Sequence, residues 1–168
     1  MIRWLGAVLV LAGGVWMGLE RRGQRGARVR ALRGLSAALD QMERELRGRE
    51  PPLSRLLDGV SGSTPWGRFF AACRDGLERR EDQPFVQVWG EALARAELPL
   101  TEEERALLEE LGGVLGRYDQ ASQCRLLQSA AEGLDRRAEQ AARERERLGR
   151  LDWALGAAGG LLLVILLF

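Results

Sequence analysis

The C-terminal stretch from Asp119 to Phe168 constrains this chain more than any other. It opens with Cys124, Leu127, Ala131, Leu134, Ala138 and Ala141, apolar positions that recur alternately at three and four residues. That is the spacing of a heptad seam along one helical face. Charged residues such as Asp135, Arg136, Arg137 and Glu139 lie between them, and Arg143 to Arg147 extend the charge. After Asp152 all charge disappears, and residues 153–168 are an apolar run. A helix with a packing stripe below and an apolar shaft above is expected to be both a bundle member and a membrane anchor.

The N-terminus mirrors this plan. From Trp4 to Leu19 no residue is charged, which is roughly 24 Å of helix at about 1.5 Å per residue. The run is slightly short for a span, and Met1 and Ile2 lengthen it. A signal-peptide core has a similar length, but arginines follow in place of a small-x-small cleavage site, which favours a retained anchor. Arg21, Arg22, Arg25, Arg28, Arg30 and Arg33 all precede Asp40, and Arg143, Arg145, Arg147 and Arg150 precede the second apolar run. Positive charge beside a span stays on the cytoplasmic side, so the two runs agree on a cytoplasmic middle with both termini on the far side. The first arginine group either only fixes topology or also touches anionic headgroups. Gly14 and Gly18, and Gly156 and Gly160, are each four apart, a spacing that lets helices approach closely in lipid. They are candidate transmembrane packing positions, for the two spans of one chain or for a homo-oligomer. The expected organisation is an anchor at 1–20, a cytosolic helical domain at 21–152 and a second anchor at 153–168.

Composition removes several classes of function. All 24 acidic residues lie between Glu20 and Asp152, and so do all arginines except Arg3. The middle is densely charged but close to neutral, unlike a general nucleic-acid binder. There is no histidine and no lysine; all 25 basic residues are arginine. The chain therefore has no imidazole for proton transfer or zinc, no amine for a Schiff base and no Walker lysine. An enzyme would have to work with aspartate and glutamate alone, and neither apolar run holds a carboxylate. No catalytic residue, metal, cofactor, small-molecule substrate or nucleic-acid partner is expected. Cys73 and Cys124 each fall on an apolar helix face and read as small buried hydrophobes, without a disulfide framework.

Between the apolar ends the chain is punctuated into helices. Leu32, Leu35, Leu39, Met42 and Leu46 form a second heptad-like seam that stops near Gly48, before Pro51 and Pro52. Pro52 opens a short helix with Leu53, Leu56, Leu57 and Val60 on one side. After the Ser61–Ser63 loop, Thr64 followed by Pro65 is a helix start, and Trp66, Phe69, Phe70, Cys73 and Leu77 mark its face. Residues 81–84 break the chain, and Phe85, Val88, Trp89, Ala92, Leu93 and Ala96 form the next stripe. Thr101 with Glu104 is a capping box, followed by Leu107, Leu108, Leu111, Val114 and Leu115. Gly116 ends that helix and Asp119 caps the last one. The fold expected is all-α: about six antiparallel helices, the first and last running into the membrane. Large side chains on the first seam and small ones on the last suit antiparallel packing of the two.

Laid out this way, the chain resembles the stage III sporulation protein AB family of spore-forming bacteria over nearly its whole length. The resemblance is carried by Leu5-Gly6-Ala7, by Leu32 to Leu46 with Glu43 and Glu45, and by Pro52-Leu53. It continues through Trp89 and Leu93 to Leu115-Gly116-Arg117-Tyr118-Asp119 with Gln123, and closes on Gly159 to Val164. Gly48 departs from it, standing where the family is expected to carry a tyrosine.

The resemblance implies a component of a multi-protein channel between mother cell and forespore, placed in the mother-cell membrane around the forespore. It further implies a cytosolic domain similar to the helical domain of the inner-membrane platform of type II secretion and type IV pilus systems. Such a platform works beside a cytoplasmic hexameric ATPase, so the implied partners are an ATPase subunit and other membrane subunits of the complex. On that reading Gly116, Asp119 and Gln123 are candidate partner-binding residues, although each also has a local role at a helix end. The alternative is a membrane-anchored coiled-coil scaffold or sensor unrelated to transport, its seams closing between chains.

Overall fold

The computed structural model describes residues 2–49, 51–79, 82–116 and 119–167, with side chains described at 23, 26–48, 51–79, 82–116 and 119–147. These residues form six helices and no strand: α1 (Ile2–Arg49), α2 (Leu53–Val60), α3 (Pro65–Arg79), α4 (Phe85–Arg95), α5 (Glu102–Val114) and α6 (Gln120–Leu167). The chain divides into two compact units, Arg30–Ala138 and the pair of segments Met1–Val29 and Glu139–Phe168.

Local chemistry sets the helix ends in the first unit. Pro52 stands before α2 in extended conformation, and the Ser61 hydroxyl donates to the Leu57 carbonyl at 2.7 Å to close that helix. The Gly67 amide donates to Thr64 Oγ1 at 3.1 Å, so the threonine caps α3 with Pro65 in its first turn. At α5 the Thr101 amide donates to Glu104 Oε2 at 2.8 Å and the Glu104 amide to Thr101 Oγ1 at 3.3 Å, a complete capping box. Arg105 reaches from α5 to the end of α4, where its Nη1 donates to the Leu93 carbonyl at 2.7 Å.

The core has two textures. In α3, α4 and α5 it is aromatic: Trp89 is fully buried, and its ring meets Phe69 edge-on with centroids 4.8 Å apart. Phe70 and Phe85 stand 6.0 and 5.6 Å from the same ring. Its Nε1 donates to the Leu108 carbonyl at 2.7 Å. Gly112 lies so close to the indole that a methyl group there would overlap it.

Between α1 and α6 the core is aliphatic. Leu32, Leu35, Leu39 and Met42 on one helix, and Leu127, Leu134 and Ala138 on the other, are fully buried. Two hydrogen bonds fix the register. Ser36 Oγ donates to the Ala131 carbonyl at 2.9 Å, and Gln120 Nε2 donates to the Leu46 carbonyl at 2.6 Å. The partner recedes by about as many residues as the seam advances, so the two stretches run antiparallel.

Trp66 departs from the stripe expected of it. It is half-buried and lies against Gly34 of α1, whereas Phe69, Phe70 and Cys73 fill the interior.

The second unit comprises the N-terminal length of α1 and the C-terminal length of α6. Among the described residues no helix is long and apolar enough to cross a membrane. The apolar runs at 4–19 and 153–168, with Gly14, Gly18, Gly156 and Gly160, lie outside the residues whose side chains are described.

Candidate functional site

The far end of the α1/α6 pair gathers the residues singled out in the sequence. Gly116 follows α5 at φ 80°, a left-handed conformation that glycine adopts without strain. Its amide donates to Gln123 Oε1 at 3.3 Å. Asp119 caps α6: the Ser122 amide donates to its Oδ2 at 3.0 Å, and the Gln123 amide to its main-chain carbonyl at 3.0 Å. Hydrogen bonds from the Ser122 side chain and amide hold the Asp119 carboxyl below its ordinary value, with Arg125 adding to the effect. Gly116, Asp119 and Gln123 are thus three parts of one helix junction.

That junction is tied to the end of α1. The Gln120 bond to Leu46 anchors it, and a Cβ placed on Gly116 would come into ordinary contact with the Leu53 side chain. Two turns distant in sequence, one following α1 and one following α5, therefore share the tip. On α1, Arg47 donates from both Nε and Nη2 to Oε1 of Glu43. Glu43 is only 9% exposed, while the Arg47 side chain is 67% exposed. A largely buried carboxylate thus holds an exposed guanidinium at the tip. Cys124 lies near this pair, and burial first, then Glu43, pushes its thiol up. Cys73, buried on the interior face of α3, is pushed up to about 12 by desolvation; both cysteines are free thiols.

The tip thus presents Arg47, Gly116 and Asp119 outward on a scaffold of hydrogen bonds. Gly116, Asp119 and Gln123 are the candidates expected from the sequence, and they share this junction; Gln120 and Arg47 are not among them. The Glu43–Arg47 spacing of four was a legible helical ion-pair signal. Nothing local marks Gln120, whose acceptor lies 74 residues away.

Beside the tip, Pro52, Ser54, Arg55, Asp58, Arg74 and Glu78 line a polar cleft of about 390 Å³. Arg74 spans it to Asp58 and also pairs with Asp75 at 2.8 Å, so α2 and α3 are cross-linked there. Among the described residues no group of three or more His, Cys, Asp or Glu is arranged to hold a metal ion.

These features define a helical module with a hydrogen-bonded, charged tip. The chain belongs to the stage III sporulation protein AB family, whose family model matches residues 3–168. It is 30% identical over 174 residues to stage III sporulation protein AB of Bacillus subtilis (strain 168), covering 99% of this chain and 99% of that protein. A solved structure of stage III sporulation protein AB (SpoIIIAB) superposes with a TM-score of 0.65 at 25% identity, covering 72% of this chain and 98% of that one. Membership of this family gives the chain a role in sporulation.

Proposed function

We propose that this chain is a non-enzymatic, membrane-anchored platform in the channel complex between mother cell and forespore, and that its tip docks a secretion-type ATPase. The observation that carries this reading is the construction of the tip. Gly116, Gln120 and Gln123 spend their hydrogen bonds on holding two turns together, while Arg47 and Asp119 remain outward with opposite charges. Two outward groups of opposite charge at one helix end suit orientation-specific docking, because they accept a complementary pair and repel its reverse. The apolar ends of the chain and the flanking arginines support anchoring by both termini with the middle in the cytoplasm. Such a platform works through its neighbours and requires no catalytic centre of its own.

The coiled-coil alternative asks the seams to close between chains. Leu35, Leu39, Met42, Leu127, Leu134 and Ala138 are already buried within a single chain, which removes its main driving force.

The test uses the full chain in lipid nanodiscs and the purified ATPase of the complex, with and without nucleotide. Binding should weaken about tenfold or more for Arg47→Glu and for Asp119→Arg, with helicity unchanged by circular dichroism. Absence of binding under every nucleotide condition, or binding indifferent to both charge reversals, defeats the proposal. Anchoring is tested separately: alkaline carbonate should leave the chain in the membrane, and single cysteines introduced into the middle segment should resist labelling from outside intact cells.

A further inference from the structure

α3 and α4 form an antiparallel hairpin that is closed near its loop and open at its free end. Near the loop, Val88 lies directly against Gly76 and leaves no room for a Cβ there. At the free end the groove is lined by short side chains, Ala72 on α3, Ala92 on α4 and Ala96 just past the end of α4. The result is a groove of about 320 Å³, floored by these alanines and by Phe69. That volume lies at the small end of ligand-binding clefts, enough for one or two apolar side chains.

Two arginines flank this floor. Arg68 is exposed and has no ion-pair partner among the described residues. Arg95 meets Glu91 only at 3.5 Å, with both side chains in solvent, a pairing that contributes little and yields readily. Glu97 stands where the chain leaves α4 and bonds to neither arginine. Of the charged residues that line the groove two are positive, Arg68 and Arg95, and one is negative, Glu97 at one end.

We infer that this groove binds a short segment of a partner protein in which a bulky apolar side chain is flanked by aspartate or glutamate. The apolar side chain enters over Ala72, Ala92 and Ala96, and the carboxylates meet Arg68 and Arg95. Glu97 sets the direction by excluding an acidic residue at its end of the groove. The apolar contact supplies affinity and the paired charges supply register. This surface is built from α3 and α4, is distinct from the tip, and does not depend on the reading given to the tip.

The test begins with random dodecapeptides displayed on phage and selected against the full chain in detergent. Binders are then counter-selected against Ala72→Arg, which plugs the groove from an exposed position. Those that distinguish the two should be enriched in Leu, Ile or Phe beside Asp or Glu. In fluorescence anisotropy the strongest such peptide should bind the Arg68→Glu/Arg95→Glu double variant about tenfold more weakly or worse. Exchanging its acids for lysine should restore binding to that variant. Ala72→Leu, which fills the groove without charge, should also block binding while leaving the thermal melt in place. Asp119→Arg should leave peptide binding intact, which separates this surface from the tip. The inference is overturned if no peptide distinguishes the plugged variant, if the distinguishing peptides lack acidic residues, or if charge reversal leaves their affinity unchanged.

Discussion

The aromatic block of α3, α4 and α5 and the seam between α1 and α6 solve the same packing problem in opposite ways. In the block, a few large rings interlock and one of them is also pinned by a hydrogen bond, so each position accepts only one shape. In the seam, leucines lie over alanines along extended helix, and register comes from two polar pins, Ser36 and Gln120. Leucine over alanine buries area but leaves many near-equivalent registers, because the contacts repeat along the helices. Polar pins remove that degeneracy. In the block the one such bond, from Trp89 to the Leu108 carbonyl, adds to a register already set by shape, since the rings have no repeat along which to slide.

The block should therefore be the more costly to break. Trp89→Ala removes the largest fully buried ring and leaves Phe69, Phe70 and Phe85 around a void; the expected loss is about 3–5 kcal/mol. Urea unfolding of the full chain in detergent, followed by near-ultraviolet circular dichroism, measures it. Leu127→Ala deletes an equally buried side chain from the seam, yet should cost less, about 2–3 kcal/mol, because it removes a smaller volume and two packed helices can close on the gap. Equal losses in the two variants would mean that the seam is as rigid as the block.

Much of this contrast was legible in the sequence, and the reason is local. Thr64-Pro65, Thr101 with Glu104, Pro51-Pro52 and Gly116 with Asp119 each act within a few residues, and each bounds a helix as their spacing predicts. The periodicity of the two seams likewise carries over into burial. What periodicity could not supply is the third dimension. Trp66 shares the stripe of Phe69 and Phe70, yet only the approach of α1 at Gly34 decides that it lies at the margin. Ser36 donates across 95 residues and Gln120 across 74, separations over which no spacing rule operates. The local core of the candidate site, Gly116, Asp119 and Gln123, was readable for the same reason as the caps. Its attachment to Leu46 and the nearby Glu43–Arg47 pair needed the folded chain.

The pins themselves sharpen the comparison at smaller energy. Ser36→Ala keeps the seam's volume nearly intact and removes one buried hydrogen bond, an expected loss of about 1 kcal/mol. The larger consequence should be in order rather than stability. Amide exchange along residues 124–138 should accelerate in Ser36→Ala, and more so when Gln120→Ala is combined with it, while the aromatic block stays protected. Uniform acceleration across both regions would show that the pins support the whole domain and not the register of the seam.

The smallest effect expected is the titration of Asp119, which probes where the seam meets the tip. Its carboxyl is held below the ordinary aspartate value of 3.8 by the Ser122 hydrogen bonds, so the folded state releases this proton more readily than the unfolded chain. The stabilisation is therefore fully present above that value and is lost as the pH falls through the depressed folded value. Because the group is exposed, the slope should be shallow and should weaken further with salt. Asp119→Asn keeps an N-cap acceptor but cannot titrate, so its melting temperature should lack this component of the acid slope; Asp119→Ala should be the less stable at neutral pH. If the asparagine variant keeps the full acid slope, the proton is taken up elsewhere and the cap at the tip is not what acid releases. If the slope is lost and amide exchange at the start of α6 rises in acid only in the native chain, the tip opens before the seam does. The junction holding Gly116 and Gln123 would then be the first part of the helix pair to yield, at the end where docking is proposed.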